Sequence, residues 1–171
     1  LGGGDVVKFV DRMNARASEL RLPATKFYNP TGLPGKSSKE DNVSSPEGMV
    51  FLAEQLLQYP KAVEWASTWI DYIRKDTEKP FMLKNHNHLI KMSQGCNGMK
   101  TGFIDRSGFC VTFTVERGGR HIAGVVTGFK SRKERDLFAA KLIDWGYRRN
   151  PVPPPDASAS SNQTVGGAVP K

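Results

Sequence analysis

No stretch of this 171-residue chain approaches the roughly 18 consecutive apolar residues of a membrane-spanning helix. Cysteine and histidine are scarce: Cys96 and Cys110, then His86, His88 and His121. None of them falls into a metal-ligand spacing such as Cys-x-x-Cys or His-Glu-x-x-His, which leaves a metal site without support. If the strands around them pair as a hairpin, a disulfide between the cysteines is open to them in an oxidising compartment, but two unpaired thiols are the expected state. Lys and Arg outnumber Asp and Glu by 25 to 17, for a net charge of +8, yet they never gather into a continuous block. Few aromatics lie among them to stack on bases, which argues against nucleic acid. What remains is an anionic polymer or surface as partner, or a solvated basic exterior. Leu1 to Asp5 has neither a basic start nor an apolar stretch, as a processed chain also would, so the compartment stays open.

What is present suffices for one domain with a real core: hydrophobic residues make up 38% and charged residues 25%. Residues 5–21 read as an amphipathic helix, with Asp5 as cap and Val6, Val10, Met13, Ala17 and Leu20 at helical spacing. A connector follows, with turn chemistry at Asn29-Pro30-Thr31-Gly32-Leu33-Pro34-Gly35. Ser45, Pro46 and Glu47 open a second helix, which Tyr59-Pro60 ends. Trp65 to Ile73 reads equally as helix or strand. From Asn97 the period falls to two: Phe109, Val111, Phe113 and Val115 alternate with Cys110, Thr112 and Thr114. With the hairpin signal Gly118-Gly119, residues 97–128 predict three consecutive antiparallel strands. Ser131-Arg132-Lys133-Glu134 is a capping box for a last helix to about Trp145. There is no internal repeat.

Several separate segments together resemble one family. Phe9-Val10 with Met13-Asn14 stands before Thr25-x-Phe27-x-Asn29-Pro30-x-Gly32-Leu33, and Asn85-x-Asn87-x-Leu89 leads into Lys100-Thr101-Gly102. Gly108-Phe109-Cys110, Val125-Val126-x-Gly128 and Leu142-x-x-Trp145-Gly146 follow at matching distances. In this order they resemble the low-molecular-weight penicillin-binding proteins, the serine-type D-alanyl-D-alanine carboxypeptidases. The resemblance covers about residues 9–147.

That resemblance implies an α+β, β-lactamase-like transpeptidase fold, an antiparallel sheet flanked by helices, with a disordered C-terminal tail. Residues 1–147 would form the C-terminal portion of the catalytic domain and residues 148–171, rich in Pro, Ala and Ser, a linker or tail. The site would take a peptidoglycan stem peptide ending in D-Ala-D-Ala, or a β-lactam that mimics it, without cofactor or metal. Lys100 supplies positive charge, Thr101 a hydroxyl donor, and Gly102 a bare strand edge on which a peptide backbone can lie. The N–H of Phe103 matches the family's oxyanion-hole donor, and Arg135 its arginine for the terminal carboxylate. His86 stands where relatives often carry arginine, and either lines the cleft or is a structural histidine.

The family's chemistry also needs Ser-x-x-Lys and Ser-x-Asn. The chain contains no Ser-x-x-Lys, and its one Ser-x-Asn, Ser160-Ser161-Asn162, falls in the low-complexity stretch. The nucleophile is therefore expected from the N-terminal portion of the same catalytic domain, which would also cover the sheet's unpaired edge and open face. Asn97-Gly98 stands where relatives commonly have Asp-Gly, and Ile104 where they often have Thr. Three readings stay open: a carboxypeptidase at the periplasmic or extracytoplasmic membrane face, an endopeptidase or β-lactamase of the same family, and a non-catalytic peptidoglycan-binding or regulatory relative.

Overall fold

Asp5 caps the first helix, α1 (Val6–Glu19), by accepting hydrogen bonds from the N–H groups of Val7 and Lys8 at 2.9 and 3.2 Å. The helix stops short of the expected residue 21 because Arg21 turns into the left-handed region, at φ 55°. The structure, a computed structural model, describes residues 4–151, so the expected tail lies outside the described residues from 152 onward.

Ser45 accepts from Gly48 N–H at 3.1 Å and opens α2 (Pro46–Leu57). Pro60 does more than end that helix. It occupies the first position of another, α3 (Pro60–Ser67), where a missing N–H costs nothing. The ambiguous stretch resolves into both possibilities: α3 runs to Ser67, and β1 (Ile70–Ile73) then pairs antiparallel with β2 (Phe81–Lys84). This hairpin was not expected, since Ile70, Tyr72 and Ile73 do not alternate cleanly. Its register places Tyr72 opposite Met82 and Ile73 opposite Phe81, so apolar side chains stand on both faces and all are exposed.

The short α4 (Leu89–Met92) leads into β3 (Cys96–Ile104), β4 (Gly108–Arg117) and β5 (Arg120–Phe129), an antiparallel sheet in the order β3-β4-β5. Gly118 and Gly119, at φ 54° and 74°, make the tight turn between β4 and β5. Ser131 then caps α5 (Arg132–Arg149), accepting from Glu134 N–H at 3.2 Å, and this helix continues past Trp145. No helix among the described residues is long and apolar enough to cross a membrane.

The core lies between the sheet and α5. Val111, Phe113, Val115 and Val126 meet Ala139, Ile143 and Tyr147 of that helix and Leu89 of α4. Phe113 is 1% exposed, and its ring lies against Gly124, where any Cβ would come within 2.4 Å of it. The Tyr147 hydroxyl reaches the carbonyl oxygens of Val115 and Arg120 at 3.0 and 2.9 Å, and ties the end of α5 to the sheet. Thr112 and Thr114 alternate onto the opposite face and are buried there as well. That face meets α3, whose Ala66 sits 3.0 Å from where a Cβ on Gly98, the partner of Thr114, would be.

Both cysteines are free. Cys96 faces Val115 and Cys110 faces Gly102, six positions further along β3, a separation of about 20 Å that no disulfide spans. Burial pushes the Cys96 thiol above its ordinary pKa.

Candidate functional site

Among the described residues β3 is an edge strand, paired on one side only, with β4. Four consecutive residues of that edge, Lys100, Thr101, Gly102 and Phe103, line one cavity of about 530 Å³, and Arg135 and Arg132 line it from the start of α5. Side chains of successive strand residues point to opposite faces, so four in a row can border one space only where it runs along the edge itself. All five residues singled out from the sequence thus meet in one place. A larger apolar groove of about 600 Å³ runs along α1, lined by Phe9, Met13, Phe27 and Leu52 among others, but offers no hydroxyl, thiol or imidazole.

Gly102 is informative for what does not require it. A Cβ there would meet nothing within 4 Å, and its φ lies outside the left-handed region. Neither conformation nor packing among the described residues demands glycine, whereas a ligand backbone lying against the strand would. Lys100 is exposed and donates through Nζ to the carbonyl of Thr101. Thr101 is half-buried, opposite the core residue Val111. Phe103 stacks on Phe109 across the strand pair, with ring centroids 4.2 Å apart.

Arg135 is 2% exposed, which is unusual for an arginine. Its Nε and Nη2 donate to Asp136 Oδ1 at 2.9 and 2.7 Å, and Nη1 donates to the carbonyl of Cys110 at 3.2 Å. Three N–H groups are therefore engaged and the other Nη hydrogens have no partner among the described residues. Asp136 is as buried as Arg135, and its Oδ2 lies 3.7 Å from His88 Nδ1. Among the cavity-lining residues are Lys100, Arg132, Arg135 and His86, and no Asp or Glu. Such a lining attracts anions.

The far wall is the turn Pro30–Leu33 with Phe27 and Met49. Asn14 holds Phe27 reciprocally, donating from Nδ2 to its carbonyl and accepting its N–H at Oδ1, both at 2.8 Å. Asn29 Oδ1 accepts from the N–H groups of Thr31 and Gly32 at 3.0 and 2.7 Å, the side-chain turn that its sequence announces. Asn42 Oδ1 accepts from the N–H groups of Tyr28 and Asn29 at 2.7 and 3.1 Å. A salt bridge then joins this wall to the sheet: Arg106 Nε and Nη2 donate to the two oxygens of Asp41, each at 2.6 Å. Asp41 also accepts Gly35 N–H at 2.8 Å. The Arg106 hydrogen bond, then that of Gly35, holds the Asp41 carboxyl below its usual pKa.

Sequence reasoning passed over Arg132, Met49 and Phe109, and left His86 open; all four line the cavity. Arg132 had a readable signal, standing one helical turn before Arg135 and hence on the same helix face. The Asp41–Arg106 bridge had none, since the partners lie 65 residues apart. Asn85-x-Asn87 proves to be a polar clasp: Asn85 Nδ2 donates to the carbonyls of Ala66 and Thr68 at 2.9 and 3.0 Å, and buried Asn87 Nδ2 to that of Gly98 at 3.0 Å. It sets the entry of β3.

The family model for D-alanyl-D-alanine carboxypeptidases matches residues 2–131. Among curated relatives, the D-alanyl-D-alanine carboxypeptidase DacF of Bacillus subtilis is 36% identical, over 95% of this chain and 40% of its own length. A D-alanyl-D-alanine endopeptidase of Escherichia coli is 27% identical, over 92% of this chain and 50% of its own length. Among solved structures, penicillin-binding protein D2 of Listeria monocytogenes in a cefotaxime-bound form superposes with a TM-score of 0.73 at 28% identity, covering 82% of this chain and 56% of that one. The Streptomyces K15 DD-transpeptidase shares the fold with a TM-score of 0.77 at 24% identity, covering 86% of this chain and 58% of that one. The chain thus spans half the length, or less, of these curated relatives.

Proposed function

The chain belongs to the D-alanyl-D-alanine carboxypeptidase family, and from that premise we propose that its cleft is one wall of a serine D-Ala-D-Ala carboxypeptidase site on peptidoglycan stem peptides. The observation that carries this reading is the free edge Lys100–Phe103 lining one cavity with Arg135. A peptide laid along that edge places its backbone over Gly102 and its terminal carboxylate toward the unengaged Nη hydrogens of Arg135. Lys100 raises the local positive potential, and Thr101 donates its hydroxyl to the same carboxylate. The N–H of Phe103 receives the oxyanion formed when a serine Oγ attacks the penultimate D-Ala carbonyl. Losing such a donor costs about 3–4 kcal/mol of transition-state stabilisation. The C–N bond to the terminal D-Ala then breaks, the leaving amine takes the serine's proton, and water hydrolyses the resulting ester. The chain holds no Ser-x-x-Lys, so the attacking serine is assigned to polypeptide outside these 171 residues. The substrate of this reading lies in the cell wall, which sets the working compartment at the extracytoplasmic face of the membrane.

Fluorescent penicillin tests this on the full polypeptide that carries the chain. The expected result is one covalent adduct on a serine outside residues 1–171, formed about 10²–10³-fold more slowly in Lys100→Ala. An intact polypeptide that takes no label overturns the enzyme and leaves a wall-binding module. The E. coli relative named an endopeptidase supports a second reading, cleavage of cross-linked peptides, which release of D-Ala from an uncross-linked pentapeptide separates from the first.

A further inference from the structure

Asp136 is 2% exposed and engages only half of its carboxylate. Oδ1 accepts from Nε and Nη2 of Arg135 at 2.9 and 2.7 Å. Oδ2 has no hydrogen bond among the described residues; against it stands His88, whose Nδ1 is 3.7 Å away. A buried carboxylate oxygen without a donor is costly, and 3.7 Å is one small ring rotation beyond a hydrogen bond. The His88 side chain is 40% exposed, so water can load its imidazole with a proton. His88 does not line the cleft, unlike its neighbour His86. It reaches Arg135 from behind, through Asp136. Its ring is set edge-on to that of Trp69, with centroids 5.7 Å apart, and Lys84 Nζ lies 5.1 Å over the same indole. The charges around the imidazole are therefore Asp136 and, behind it, Arg135 on α5, Lys84 on β2 across the Trp69 ring, and Lys91 on its own helix α4.

We propose that His88 is a positioning residue that ties the anion affinity of Arg135 to proton uptake. When His88 is protonated, its Nδ1–H donates to Asp136 Oδ2 and shares a carboxylate that otherwise compensates Arg135 alone. This role rests on the carboxypeptidase reading of the cleft and adds a regulation to it. With His88 neutral, the charges of Arg135 and Asp136 cancel. Protonation leaves the three groups at +1, and an anion at the free Nη hydrogens of Arg135 is then held more tightly. Linkage makes the effect reciprocal, so a bound anion favours the protonated imidazole by the same factor. The sign follows. Carboxylate affinity rises as the pH falls from about 8 to about 5, the range in which histidines take up a proton. A peptide's terminal carboxylate, with an ordinary pKa of about 3.5, stays ionised throughout.

Two labelled peptides ending in D-Ala-D-Ala, one with a free terminal carboxylate and one with a terminal carboxamide, are titrated by fluorescence anisotropy against the full polypeptide at pH 8 and pH 5.5. Their affinity ratio cancels effects of pH on the fold as a whole. In the wild type the preference for the acid should grow about fivefold or more on acidification, the lower end of ordinary couplings between sites. His88→Gln should flatten that growth while the amide binds as before, and His88→Lys should hold the strong preference at both pH values. His86→Gln, which removes the imidazole inside the cleft, should leave the growth in place. A ratio that does not change with pH in the wild type overturns the proposal, as does a change that survives His88→Gln or vanishes in His86→Gln. Loss of both peptides together in His88→Gln also overturns it, because the histidine would then be merely structural. A flat ratio in a polypeptide that takes the penicillin label leaves the carboxypeptidase reading standing. A pH-dependent ratio without labelling sinks that reading alone, and binding of neither peptide sinks both.

Discussion

The sheet side of the cleft and the loop side are held by different forces. Lys100–Phe103 and Arg135 ride on an apolar core in which Val111, Phe113, Val115 and Ile143 are at most 1% exposed. Pro30–Leu33 rides on side-chain amides and one salt bridge, contributed by Asn14, Asn29, Asn42 and the Asp41–Arg106 pair. Burial is non-directional and cooperative, so the sheet side moves or melts as a unit. Polar bonds at a half-exposed rim each contribute about 1 kcal/mol, so the loop side can change position while the fold persists. One side of the cleft is a fixed reference and the other is adjustable.

The sharpest way to break that contrast is through the core. Phe113→Ala should remove about 3–5 kcal/mol of stability, read as a lower denaturant midpoint, and abolish peptide binding along with it. A variant that kept binding while losing that much stability would show that the two sides are not mechanically distinct. Arg135→Ala should follow closely, at about 3–5 kcal/mol, because it strands Asp136, 2% exposed, without its main partner. The double variant Arg135→Ala with Asp136→Ala separates structure from binding. It should recover much of the stability, since no uncompensated charge remains, and none of the affinity for the terminal carboxylate.

The sequence made these two sides readable to different degrees. β3, β4 and β5 stood out because Phe109-Val111-Phe113-Val115 alternates strictly and Gly118-Gly119 marks the turn. Capping chemistry at Asp5, Ser45 and Ser131 placed three helix starts, and each cap makes its expected hydrogen bond. The β1–β2 hairpin escaped notice because apolar residues on both faces erase the period that marks a half-buried strand. In the site, Asn29 announced its own turn, while Asp41 and Arg106 are brought together only by the tertiary fold. The burial of Arg135 was equally unreadable: an arginine in a helix first turn beside Arg132, Lys133 and Glu134 reads as solvent-facing, and only the register of α5 on β4 turns it inward.

The loop side should answer to gentler changes. Asn14→Ala removes both bonds to Phe27 and should cost about 1–2 kcal/mol, while weakening peptide binding more than its effect on the denaturant midpoint alone accounts for. The smallest effect belongs to the Asp41–Arg106 bridge, whose arginine is 47% exposed at its side chain and so is well screened. Its signature is pH dependence. Because the Asp41 carboxyl is held below its usual pKa in the folded state, the bridge contributes stability above the unfolded value of about 3.9 and loses it as the pH falls through the folded value. Asp41→Asn should therefore lie slightly below the wild type in thermal midpoint at neutral pH and converge with it under acid. If the bridge positions the rim, the same variant weakens peptide binding at neutral pH more than it lowers the midpoint. If the two fall in proportion, the loop side is no more adjustable than the sheet side, and the contrast between them fails.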